Sequence, residues 1–557
     1  MNYLCTIAEE KSHCNNVADH YRQTAVGGVG LDYKFLLYER KKKKPILLLA
    51  IIFLEVMVEN IVTEGTYDLF FSILLLAIIF LILKLLKSNF LSESTLPLPP
   101  GPSPWPILGN ILQMGEKPHI TLANFARSYG PLMSLRLGTQ IMIIGSSPAA
   151  AVEILKTNDR TLSARYVPHV APPKSSEVNH LSLGWALECN DAWKKLRSIC
   201  RTELFSGKAI ESQACLREKK IRDMVRFLSV MEGKVVKVGE VIFATVFNML
   251  GNVFISRDFI SLEEENLDGG MKDLVREIME VSSAPNLSDF YPILGALDLQ
   301  GLRKKSLELF GKVCAVWEPV IEERRDQRRG GASSQKDLLD TLIDTAFTND
   351  KINTLFMELF TAGTDTSTST VEWAMAELIK NPESMKKVCE ELTREINQHS
   401  LKESDLAQLP YLEACVKETL RLHPPAPLLL PHRAPDSCKV MNYTIPKNSQ
   451  VVVNVWAIGR DPMVWEEPLK FKPERFLNTT LDFKGNDFEF LPFGAGRRIC
   501  PGLPMAAKQV PLILASLFRS FDWSLPHGND PNELDMNEKF AATLQKEQPL
   551  VLIPTIK

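Results

Sequence analysis

A mainly α fold with a small β-rich part, set behind an apolar N-terminal transmembrane anchor, is what this sequence predicts. Three observations carry that expectation. Apolar residues recur at helical spacing over long stretches, the longest running from Ile352 to Lys380. Strand patterns are few and short. No internal repeat divides the 557 residues, so one large domain accounts for most of the chain.

The N-terminus comes first. Residues 1–56 hold a basic run, Arg40 to Lys44, and a short apolar run, Ile46 to Leu54, bounded by Glu55 and Glu59. A basic stretch before an apolar one mimics a signal peptide, but no small-residue cleavage site follows cleanly. These residues read either as an atypical extension or as an artefact of gene prediction, with Met57 as the alternative start. Residues 57–98 form the anchor region. Leu69 to Leu83 are apolar apart from Ser72, and snorkelling of Lys84 and Lys87 extends the span to 69–86. Glu64 and Asp68 precede it and basic residues follow. The positive-inside rule therefore predicts a single pass with the C-terminal bulk in the cytosol. The prolines of 99–107 form a stiff hinge, and 108–557 form the globular domain.

Composition excludes some classes. The net charge of −3 gives no reason to expect nucleic acid. Ten cysteines lie scattered without CxxC pairs, which argues against a disulfide framework or zinc site and for a reducing compartment.

Within the domain, Leu132 to Leu137 and Gln140 to Ile144, parted by Gly138 and Thr139, predict a β-hairpin. Pro148 to Lys156 predicts a helix, and the β-branched run Val451 to Val455 a strand. Further helices are expected over 337–347, 382–398, 411–422 and 501–521. The charged, Gly/Ser-rich stretch 324–335 reads as an exposed connection.

Four groups of residues carry chemistry. The run Phe493-Gly494-Ala495-Gly496-Arg497-Arg498-Ile499-Cys500-Pro501-Gly502 is built to hold a thiolate against a metal. Its glycines allow tight turns that aim N–H groups at the sulfur, and Arg498 supplies a fixed positive charge. Pro501 can open a following helix. Ala362-Gly363-Thr364-Asp365-Thr366-Ser367 puts poor helix formers inside the long helix, where a threonine bonding back one turn can interrupt it and open a groove. Glu418 and Arg421 stand three apart on one helix, followed by His423-Pro424-Pro425, with Pro473-Glu474-Arg475-Phe476 downstream. Trp193 and Arg197 share one helix face. A buried structural cysteine, a solvated helix face, a surface ion pair and ordinary core aromatics are the respective bland readings. Their joint occurrence in one order weighs against all four.

The cysteine run resembles the haem-binding loop of the cytochrome P-450 family, Phe-x-x-Gly-x-Arg-x-Cys-x-Gly, at Phe493, Gly496, Arg498, Cys500 and Gly502. The resemblance extends from about Pro99 to the C-terminus. It implies the P-450 fold, haem b (iron protoporphyrin IX) with Cys500 as axial ligand, and O2 as co-substrate. It implies that Thr366 and Asp365 belong to a proton-delivery path and that Gly363 lets oxygen approach. Trp193, Arg197, Arg498 and Arg433 are then the candidates for the haem propionates. Glu418, Arg421 and Arg475 form a structural network. Histidine as the axial ligand is the rival idea, with His423 and His432 as candidates, but neither has a supporting loop. No flavin or dinucleotide fingerprint occurs, so electrons from NADPH must arrive through a partner, NADPH-cytochrome P-450 reductase. The expected location is the endoplasmic reticulum membrane.

The family's substrate-contact regions include Ala426 to Leu430 and Phe540 to Thr543, both apolar here, which suits a small lipophilic substrate. Gly130 to Gly138 and Asp289 to Leu294 resemble plant microsomal members such as geraniol hydroxylases and N-methylcoclaurine hydroxylases. Thr202 to Ser206 and Leu297 to Gly301 lean toward the alkaloid group. The expected reaction is oxidation of a benzylisoquinoline alkaloid, by hydroxylation or phenol coupling. A terpenoid hydroxylase and a non-catalytic haem protein are the alternatives.

Overall fold

The computed structural model describes residues 96–171, 182–262, 270–330, 337–396 and 401–557. The expected span 69–86 and the extension 1–56 lie outside the described residues. What is described is mainly helical with small sheets, as the patterning predicts.

The six helices that matter for the site are α1 (Asp191–Cys200), α2 (Val238–Ile255), α3 (Leu302–Arg329), α4 (Asn349–Lys380), α5 (Pro410–Leu422) and α6 (Leu503–Ser520). Apolar residues occur all round α2, and a helix of that kind must be buried on every side. By length and composition α2 could cross a membrane, but 83% of it is buried inside the protein. It is the core helix against which α4 lies. Phe247 of α2 stacks on Phe360 of α4 at 4.7 Å, and Trp317 of α3 lies flat on the same ring at 4.9 Å. Phe360 is fully buried at the centre of that aromatic cluster.

Two local expectations are corrected. Arg324 to Arg329 is not an exposed connection but the end of α3, because Arg324 Nη1 donates to Asp337 Oδ1 at 2.9 Å in a buried pair. The run Ala362 to Ser367 does not interrupt α4. Thr366 Oγ1 donates to the Ala362 carbonyl at 2.7 Å and Ser367 Oγ to that of Gly363 at 2.9 Å, yet the helix continues unbroken. The hydroxyls are satisfied by their own helix without opening it.

The main sheet has five strands: β1 (Leu132–Leu137), β2 (Gln140–Gly145), β3 (Ala164–Arg165), β4 (His432–Arg433) and β5 (Gln450–Val453), in the order β1-β2-β5-β4-β3. The β1–β2 hairpin turns on Gly138, whose φ of +60° suits glycine in a two-residue loop. β2 and β5 pair in parallel, and the other neighbours are antiparallel. In the β3–β4 pair Arg165 lies opposite His432, and Ala164 opposite Arg433. Opposed residues share a face and successive residues alternate. Arg165 and His432 therefore face one side, and Arg433 the other.

Candidate active site

Cys500 stands two residues before Gly502, the N-cap of α6; Pro504, rather than Pro501, takes the first turn of that helix. The loop closes on itself where the Cys500 amide donates to the Phe493 carbonyl at 3.0 Å. Gly496 has φ +68°, and a Cβ there would collide with the Leu155 carbonyl, so the tight loop needs glycine at that point. Burial pushes the Cys500 thiol up. Hydrogen bonds from the amides of Gly502 and Leu503 and the charge of Arg197 act against that. These are the donors that a thiolate requires.

Arg197 of α1 reaches this loop and donates through Nη2 to the Ile499 carbonyl at 2.5 Å. Arg498 donates to the carbonyls of Ser163 and Ala186 at 2.8 and 2.6 Å, but its Nη1 is buried without a partner. Trp193 lies under both guanidiniums, 4.6 Å from Arg498 and 5.4 Å from Arg197. The Trp193 indole N–H is already used by the Leu183 carbonyl at 2.9 Å. The tryptophan thus supports the two arginines and has no donor left for an anion.

A cavity of 1240 Å³ is lined by Cys500, Arg498 and Arg197, and also by Gly363 and Thr366 of α4. Arg433 does not line it. That side chain, on the other face of β4, donates to Asn448 Oδ1 at 3.2 Å. The cavity-facing pair is Arg165 and His432. Burial and the neighbouring Arg498 hold Arg165 down to about 9, and burial and Arg165 hold His432 down to about 3. His432 Nδ1 donates to the Leu162 carbonyl at 2.6 Å. Uncharged and set among guanidiniums, His432 faces surroundings that favour an anion over a metal cation. His423, the other rival, does not line the cavity.

Asp365 does not line it either. Its carboxylate accepts from Gln545 Nε2 at 3.0 Å, and burial raises it above the usual carboxylate range. Glu418 of α5 accepts from Arg421 Nε and Nη2 at 2.7 and 2.8 Å in a buried pair, and from the half-buried Arg475 Nε at 2.9 Å. This triad lies together but away from the cavity lining.

Arg165 and Glu358 line the cavity and escaped the sequence reading, and His432 entered it only as a rival axial ligand. Glu358 sits one helical turn before Ala362 in an otherwise apolar stretch, and that placement was the available signal. The other two depend on strand register, which the sequence does not display.

A sulfur donor beside unneutralised guanidiniums can hold a metal inside an anionic macrocycle. The orphaned Arg498 Nη1 and the lowered Arg165 are what such a dianion would satisfy. The chain belongs to the cytochrome P450 family, whose pattern matches residues 99–553. It is a P450 monooxygenase, a class that uses haem, O2 and electrons from a redox partner on lipophilic substrates. Among its relatives, a protein of Coptis japonica described as a probable (S)-N-methylcoclaurine 3'-hydroxylase isozyme 2 is 52% identical over 82% of this chain and 93% of its own. Corytuberine synthase of the same species is 47% identical over 86% and 97%. Geraniol 8-hydroxylase of Swertia mussotii is 42% identical over 84% and 95%.

Proposed function

We propose that this chain oxidises a benzylisoquinoline alkaloid, on or between its phenolic rings. The observation that carries the reading is the 52% identity to a probable N-methylcoclaurine hydroxylase, against 42% to a geraniol hydroxylase over a similar share of the chain. The apolar cavity wall at Ala426, Leu429, Leu430 and Ala542 supports a lipophilic substrate.

In this reading the Cys500 thiolate would bind the iron of haem b, held within the loop formed by Phe493, Gly496 and Gly502. Bound haem supplies the activation of O2. The chain's residues orient it and move protons. Arg498, Arg197, Arg165 and His432 would hold its propionate edge, with Trp193 beneath the first two. Thr366 presents its hydroxyl to the cavity, Gly363 leaves the helix wall open beside it, and Asp365 stands behind as proton source. Glu418, Arg421 and Arg475 hold the structure under α5.

Electrons come from NADPH through cytochrome P-450 reductase. The anchor 69–86 places the enzyme on the endoplasmic reticulum membrane in a single pass, with residues 108–557 in the cytosol. An exposed apolar surface supports membrane contact. Trp105 and Ile107 in the hinge and Leu112 just after it are exposed, as are Ile293, Leu297 and Leu299, and Tyr291 Oη donates to the Ile107 carbonyl between the two segments.

The test is parallel turnover of N-methylcoclaurine, reticuline and geraniol by the enzyme reconstituted with reductase. Oxidation of at least one of the two alkaloids is expected. Turnover of geraniol alone would replace the alkaloid reading with the terpenoid one.

A further inference from the structure

A tertiary amine is cationic near neutral pH, so burying one in an apolar cavity is costly unless a carboxylate meets it. Six carboxylates line the cavity. Glu403, Glu413 and Asp482 each pair with their own cation, Arg217, Lys417 and Lys484. Glu218 lies near Arg222, and Glu211 is exposed. Glu358 is different. It is on α4, the helix that carries Gly363 and Thr366, and among the described residues no cation lies within ion-pair distance of it.

The hydrogen-bond donors to Glu358 are neutral, and the one cation whose charge bears on it, Arg498, stands beyond ion-pair distance. Ser182 Oγ donates to Oε1, and the amides of Leu183 and Gly184 donate to Oε2 at 2.7 and 3.5 Å. A carboxylate offers about four acceptor positions, so Oε1 keeps one free, and Glu358 is among the residues that line the cavity. Desolvation raises this acid above its ordinary range despite those three donors and the more distant Arg498 charge. Such a site gains most when a cation arrives. The helical rise sets Glu358 about 7.5 Å before Gly363. An amine-bearing ring joined through one carbon to a second aromatic ring can span that distance.

We infer that Glu358 is the anchor for a protonated amine, and that it fixes which ring of the substrate reaches the Gly363–Thr366 wall. The inference rests on the proposed alkaloid reading for its natural ligand, but the anchor itself requires only a lipophilic cation. Glu358 is a binding residue, and the segment 182–184 holds it in place.

The test compares affinities of the haem-loaded, full-length protein by equilibrium dialysis. The probes are N-methylcoclaurine and its uncharged N-acetyl counterpart, together with simple lipophilic tertiary amines and their N-acyl counterparts. The wild type should prefer each amine. Glu358→Gln keeps the acceptor for the Leu183 amide but removes the charge. It should weaken amine binding about 10- to 100-fold, as the loss of a charged hydrogen bond does, and leave the neutral probes unchanged. Ser182→Ala removes a hydrogen bond but not the charge, and should keep the preference. If Glu358→Gln fails to load haem, Glu358→Asp and Glu358→Ala take its place, with the preference kept in part by the first and lost in the second. No preference in the wild type, or equal losses for amine and neutral probes, would overturn the anchor. Preference for the simple amines with no binding of the alkaloid would sustain the anchor and reject the alkaloid substrate.

Discussion

His423 lies flat on Trp373, ring centres 3.9 Å apart and planes within 1° of parallel. The imidazole sits between two carboxylates, with Nε2 2.7 Å from Glu377 and Nδ1 3.3 Å from Glu538. Glu538 also meets His119 at 3.0 Å and Arg460 at 3.2 Å. One buried cluster thus ties α4, the end of α5 and the segment that continues into Phe540 to Thr543.

That cluster predicts an acid limb in stability. Burial alone would raise Glu538, but hydrogen bonds from His119 and His423 and the charge of Arg460 outweigh it and hold the carboxyl far below its ordinary range. A group depressed in the folded state stabilises above its unfolded value, ~4.3 for Glu, and that stability drains as pH falls toward the folded value. Melting temperature measured from pH 7 downward should fall below about pH 4.3 in the wild type. Glu538→Gln should start lower and show a flatter decline. Parallel curves would remove Glu538 from the account.

The aromatic cluster on Phe360 predicts a packing loss. Phe360→Ala should cost about 3–5 kcal/mol, the range for an aromatic truncated in a core. Denaturant unfolding measures it, and a loss below about 1 kcal/mol would mean that the site collapses without strain.

For the charge triad, Glu418→Ala leaves the buried Arg421 and the half-buried Arg475 without their carboxylate. The expected cost is about 3–5 kcal/mol, seen as a drop in haem-loaded protein on expression. Wild-type yield and unfolding midpoint in this variant would show that the triad is dispensable.

Thr366→Ala tests proton delivery. The variant should bind haem and substrate but form less product per NADPH consumed, with the balance appearing as peroxide. An unchanged ratio would reduce Thr366 to a helix residue bonded to the Ala362 carbonyl.

The site was legible in the sequence where its residues are contiguous. The loop from Phe493 to Gly502 has its turns, its thiol and its arginine within ten positions, and backbone sterics decide most of its shape. Legibility failed where register or rotation decides. Arg433 and His432 are neighbours in sequence, and only the pairing of β3 with β4 tells which of them faces the cavity. Asp365 and Thr366 are likewise adjacent, yet helix rotation turns one toward Gln545 and the other into the cavity. Glu358 was hidden because an acid in an apolar helix declares no partner until segment 182–184 folds over it. The stretch after Arg324 looked like a loop from its charge. The pair with Asp337, thirteen residues on, makes it helix.

The central claim is that Cys500 presents a thiolate to haem. The direct measurement is the reduced, carbon monoxide difference spectrum of the purified protein and of Cys500→His. The wild type should give the red-shifted Soret band of thiolate ligation, and the variant should lose it. Persistence of that band in Cys500→His would contradict the account.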